Sequence, residues 1–81
     1  STVTFPADLS DEVFEYVTVT GSDMPWTEFS YTVYGDIRLW WLICLTNKIM
    51  NPVKSLEAGD VIKVIKPQYI SAIMDSIKDQ V

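Results

Sequence analysis

The sequence predicts an α+β fold in which a strand, two helices and a second strand are followed by a third helix. Three observations carry that reading. Residues 14–19 and 61–65 are β-branched and aromatic runs bounded by turn formers, the mark of strands. Two stretches between them repeat apolar residues at helical spacing. After Pro67, residues Ile70, Ile73, Ile77 and Val81, with Met74 beside them, form one more helical stripe.

Each element has its own local cause. Residues 1–13 combine Pro6, small polar residues and acids, and read as an extended arm. Within it Val3 and Phe5 alternate with Thr2 and Thr4, a pattern suited to adding a strand to a partner's sheet. Phe14, Tyr16 and the β-branched Val17, Thr18 and Val19 form the first strand, which Gly21-Ser22-Asp23 breaks. Pro25 suits the first turn of a helix capped by Asp23 or the residue after it. Trp26, Phe29, Ser30 and Val33 then fall on one face, and the helix ends near Tyr34-Gly35.

The second helix, within residues 34–47, is the most informative segment. Asp36 is placed as its N-cap. At about 100° per residue, Ile37, Trp40, Ile43, Cys44 and Asn47 share the face expected to meet the core. Trp41, Leu42 and Leu45 lie opposite, beside Arg38. A helix of a small domain usually has one apolar stripe, whereas this one has two, so a single core covers only one of them. Either the terminal helix of the same chain covers the second, or a partner protein does. Trp and Arg side by side are the residue types that dominate binding hot spots, which makes the partner the functional expectation. Asn51-Pro52 marks a turn, and residues 56–60 form a tight loop into the second strand. The terminal helix either folds back on the domain or docks elsewhere.

Composition bounds the function classes. Eighty-one residues make one domain, which at this size buries only roughly 60–65% of its unfolded surface. Yet the chain is 48% hydrophobic with three Trp, four Tyr and three Phe, a surplus for so small a core. No apolar run approaches the ~20 residues of a membrane span. The N-terminal residues show no basic segment followed by an apolar one, so no signal peptide is expected. A protein–protein interface is the simplest sink for the surplus. Residues 1–36 hold seven acids and no base, a charge of −7, while residues 37–81 carry +2. That polarity suits electrostatic docking or a solubilising acidic surface, and the absence of a basic stripe argues against nucleic acid.

Catalysis is not expected. There is no histidine, hence no imidazole base and no Ser–His or Cys–His pair. Gly21, Gly35 and Gly59 are isolated turn residues rather than a phosphate loop. The acids Asp11, Glu12 and Asp23 read as solvated surface, and Cys44 as a small buried hydrophobe. No cofactor or metal is expected.

One ordered set of motifs resembles a known family. Tyr16-Val17-x-Val19-x-Gly21, Tyr34-Gly35, Asn47-x-Ile49-x-Asn51-Pro52 and Leu56-x-x-Gly59-Asp60-x-Ile62-x-Val64 together resemble the LysM domain over residues 14–66. The resemblance implies a two-stranded antiparallel sheet with both helices on one side, flanked by the arm (residues 1–13) and the terminal helix (residues 67–81). Tyr34-Gly35-Asp36 with Leu39-Trp40-Trp41-x-Ile43 and Asn47 is most similar to the phage-tail branch of that family. Such proteins occur in baseplates of contractile-tailed phages, where a LysM-bearing wedge protein links wedges to the central hub. The likeness implies a structural virion protein, assembled in the host cytoplasm as multiple copies in a symmetric baseplate, with wedge and hub subunits as partners and neither membrane nor nucleic acid among them. Its expected interface is Arg38, Trp41, Leu42 and Leu45, with Val3 and Phe5 of the arm and Ile70, Ile73 and Ile77 of the last helix reaching other neighbours. Cell-wall LysM domains instead bind peptidoglycan or other N-acetylglucosamine polymers between two loops. Here that alternative falls on Gly21, Ser22, Asp23 and Met24 and on Asn51 and Pro52, with Gly21-Ser22-Asp23-Met24-Pro25 replacing the family's usual Gly-Asp-Thr.

Overall fold

The computed structural model describes residues 9–79 and is α+β. Strand β1 (Phe14–Thr18), helix α1 (Trp26–Tyr34), helix α2 (Trp40–Thr46), strand β2 (Val61–Ile65) and helix α3 (Ile70–Lys78) follow in order. Short 3-10 turns occupy Asp11–Val13, Ile37–Leu39 and Pro67–Tyr69. The strands pair antiparallel in unbroken register, from Phe14 opposite Ile65 to Thr18 opposite Val61. Val3, Phe5 and Val81 lie outside the described residues.

The ladder runs one residue past each strand end. The Val19 N–H donates to the Asp60 carbonyl, and the Lys66 N–H to the Val13 carbonyl, both at 2.8 Å. Successive residues of an antiparallel strand turn their main-chain groups to alternate sides. Val13, Glu15, Val17 and Val19 therefore bond toward β2, while Phe14, Tyr16 and Thr18 turn theirs to the outer edge of β1.

Side chains occupy the middle of the outer edge of β2. The Asn47 amide nitrogen donates to the Lys63 carbonyl (2.8 Å) and to the Ile43 carbonyl (2.7 Å). Its amide oxygen accepts from the Lys63 N–H at 3.0 Å, so one side chain stands in for a neighbouring strand. The Tyr34 hydroxyl donates to the Ile65 carbonyl at 2.6 Å. Burial raises the Tyr34 phenol to about 12, against the opposing pull of that hydrogen bond and with a further rise from nearby Glu15.

Helix ends follow local rules with two departures. α1 ends at Gly35, whose left-handed φ of 70° lets its N–H reach the Tyr31 carbonyl. Its N-cap is Pro25 itself, without a side-chain bond, so Pro25 stands before the first turn rather than within it. Asp23, expected as a cap, instead gives its N–H to the Glu57 carboxylate (3.1 Å). Asp36 caps the 3-10 turn, accepting the Arg38 N–H at 2.8 Å. That turn advances about three residues per revolution, so the α-helical projection fails there and Ile37, expected in the core, is 54% exposed. α2 closes in a Schellman arrangement: the Ile49 N–H meets the Cys44 carbonyl (2.9 Å) and the Lys48 N–H the Leu45 carbonyl (3.2 Å).

Two apolar clusters form the interior, and α2 lies between them. Ile43 and Cys44 join Val19, Trp26, Phe29, Leu56, Ile62 and Val64. Leu42 joins Val13, Ile65, Ile73 and Ile77, with Trp41 and Leu45 packed against that group. The second apolar face of α2 is thus covered by α3 of the same chain. Leu42, expected to meet a partner, is 0% exposed, and Ile73 and Ile77 are buried beneath it rather than offered to neighbours. The physical reason is the amphipathic stripe of α3, which finds its apolar complement on α2 and β2. Leu9 and Val13 also pack into this second core, and residues 11–13 are wound, so the arm is no longer extended there.

Candidate functional site

The most prominent exposed apolar surface among the described residues begins where α2 leaves the interior. The loop after Lys48 carries Ile49, Met50, Pro52 and Val53. Met50 is 93% and Val53 85% exposed, values far from the usual position of such side chains. The loop is held rather than loose at both ends. The Asn47 amide anchors its start on β2, and the Trp26 indole N–H donates to the Lys54 carbonyl at 3.1 Å. Beyond that, Met24 and Leu56 exchange both main-chain bonds (2.8 and 2.7 Å), tying the loop end to the start of α1.

Two grooves flank the loop. One, of about 290 Å³, is lined by Trp40, Trp41, Cys44, Leu45, Ile49, Met50 and Pro52. The other, of about 240 Å³, lies toward α1 and is lined by Pro25, Trp26, Thr27, Trp40, Pro52, Val53 and Ser55. Trp40 and Pro52 line both, which joins them into one surface. None of these lining residues is charged, and the exposed Lys48 and Lys54 flank the loop that divides them. Burial pushes the Cys44 thiol up, so it forms part of the apolar floor as a neutral group.

The expected interface is therefore divided. Trp41 and Leu45 reach the groove from their half-buried positions, whereas Leu42, Ile73 and Ile77 are interior and Ile70 is half-buried against the second core. Arg38 stands off this surface with its guanidinium on the Asp36 carboxylate at 2.8 Å. That hydrogen-bonded pair lowers the Asp36 pKa and raises that of Arg38. Trp40, expected in the core, is half-buried and shared by both grooves. Met50 and Val53 belong to no periodic pattern, so only their place in an irregular, apolar loop between two lysines signalled them.

The expected glycan residues do not converge on one groove. A more polar groove of about 430 Å³ includes Trp26, Asn47, Ile49, Asn51, Lys54 and Asp60 in its lining. Asn51 lines it and Pro52 lines the apolar pair, but Gly21, Ser22, Asp23 and Met24 line none of the three. Those four are drawn to the Leu56-Glu57 segment by the Met24–Leu56 bridge and the Asp23–Glu57 bond. Among the described residues, no group of three or more His, Cys, Asp or Glu side chains is placed to hold a metal ion. No family model matches the chain, and neither a curated protein nor a solved structure does.

Proposed function

We propose that the chain is a structural docking module of the LysM-like kind, which holds neighbouring subunits of a contractile phage-tail baseplate in register. The observation that carries docking is the continuous apolar surface formed by Trp40, Trp41 and Leu45 of α2 with Met50, Pro52 and Val53 of a loop fixed at both ends. A preformed surface loses little conformational entropy on binding, and aromatic residues with methionine are enriched in interface cores. The baseplate setting rests on the motif resemblance alone. Wedge and hub subunits are the partners in this reading, and many weak contacts within one assembly act together through effective concentration.

The test uses the two side chains that touch no core. Met50→Asp with Val53→Asp is expected to leave the thermal midpoint within the small range of ordinary surface changes, about 0.5 kcal/mol in stability. Incorporation into tail particles, measured by quantitative blotting of purified particles, is expected to fall at least about tenfold, since two charges are desolvated against an apolar partner. Full incorporation of a folded double variant would remove the surface from the argument.

A second reading is N-acetylglucosamine polymer binding in the groove that contains Asn51, Lys54, Ser55 and Asp60, whose polar lining favours it. Retention of the purified chain on insoluble peptidoglycan or chitin, lost on Asn51→Ala with Asp60→Ala, would support it over the first.

A further inference from the structure

Charge is distributed unevenly around the two apolar grooves. Residues 37–56 hold Arg38, Lys48 and Lys54 and no acid, within a chain of net charge −5. Arg38 is paired with Asp36, the one ion pair among the described residues. Lys48 and Lys54 are exposed, and no described carboxylate pairs with either. Lys48 directly precedes Ile49 and Met50 of the larger groove, and Lys54 stands between Val53 and Ser55 of the smaller. The first acids after the loop are engaged elsewhere: Glu57 accepts the Asp23 N–H, and Asp60 the Glu57 N–H. Lys48 also holds a costly backbone position. It follows the end of α2 in the Schellman closure at a φ of 58°, where glycine or asparagine is the ordinary choice. A lysine there gives up backbone ease and sets a positive charge beside the groove.

We propose that the joined grooves receive an acidic, amphipathic peptide segment of a partner protein, its apolar side chains on Trp40, Trp41 and Met50 and its carboxylates beside Lys48 and Lys54. The proposal rests on the docking reading and names the chemistry of what docks. The uncharged lining selects apolar anchors, because a charge placed there is desolvated without a counterpart. The unpaired lysines select carboxylates at the rim, where opposite charge speeds encounter and fixes the direction in which the segment lies. Methionine adapts to anchors of different shape, so the pattern of acid and apolar residues matters more than one exact sequence. A second copy of this chain is the poorer occupant, since two molecules that each carry −5 repel one another.

Selection of short random displayed peptides on the immobilised full chain, with counter-selection on the Met50→Asp, Val53→Asp variant, tests this. Enriched sequences are expected to be net negative, with apolar residues flanked by Asp or Glu. A synthetic peptide of the commonest enriched sequence is then titrated against the full chain and followed by Trp fluorescence. Lys48→Glu with Lys54→Glu is expected to lower its association constant at least about tenfold, and added salt to weaken it. Lys78→Glu, at an exposed lysine of α3, is expected to leave it unchanged. Lys48→Gly separates charge from backbone: the thermal midpoint is expected to rise by a few degrees while the peptide binds several-fold more weakly. Enriched peptides that are neutral or basic, no enrichment over the counter-selected variant, or binding indifferent to the lysine changes would each overturn the proposal. Self-association of the chain through Met50 and Val53, seen by sedimentation, would put a second copy there and overturn it as well. In each of those cases, loss of particle incorporation by the Met50→Asp, Val53→Asp variant would still uphold the docking reading, so the two fail separately.

Discussion

Asn47 and Tyr34 each do at residue scale what an absent strand would otherwise do. Asn47→Ala removes both bonds to Lys63 and leaves half-buried main-chain groups without partners, at an expected cost of roughly 1–3 kcal/mol by denaturant unfolding. Asn47→Asp keeps the acceptor for the Lys63 N–H but sets a carboxylate against two carbonyls, and is expected to cost at least as much. Tyr34 adds a pH dependence whose sign follows from its raised pKa. The native phenol holds its proton to about 12 against an ordinary value of 10.0, so the unfolded chain binds fewer protons in between. Its contribution is fully present below pH 10 and is lost as pH rises toward 12. Tyr34→Phe is expected to flatten that part of the stability–pH curve, relative to the wild-type chain, in parallel denaturant titrations.

At the scale of elements, the decisive relation is α3 on α2. Ile73 is buried in one cluster with Leu42 and Ile65, so Ile73→Ala opens a cavity in the smaller core and is expected to cost about 2–5 kcal/mol, read as a shift in denaturant midpoint. If Ile73 were only an interface residue awaiting a partner, the isolated chain would scarcely notice the change. The element order was legible in the residues because strand alternation, the Trp26–Phe29–Ser30 stripe and Gly35 are local signals. The two apolar faces of α2 were legible as well. What covered the second one was not, because the packing of α3 is a long-range outcome and the stripe of Ile70, Ile73 and Ile77 fits a partner as well as its own chain. The candidate surface was half legible for a related reason. Trp41 and Leu45 stood out by periodicity, whereas Met50 and Val53 are displayed by a loop whose path is set by Asn47, Trp26 and Met24.

Across the whole molecule, surplus apolar surface is redistributed rather than absent. α3 buries the part on α2 that a sum over one core leaves over, and the loop between α2 and β2 presents another part to solvent. Docking surface and interior meet at Trp41, which packs on the second core with one side and lines a groove with the other. α2 itself contributes to both interiors, Ile43 and Cys44 to one and Leu42 to the other. A shared wall of this kind leaves neither chamber able to melt while its neighbour stands. No smaller piece is therefore expected to fold alone: heating should collapse the described fold in a single calorimetric step, and a cut between β2 and α3 should undo the sheet that precedes it.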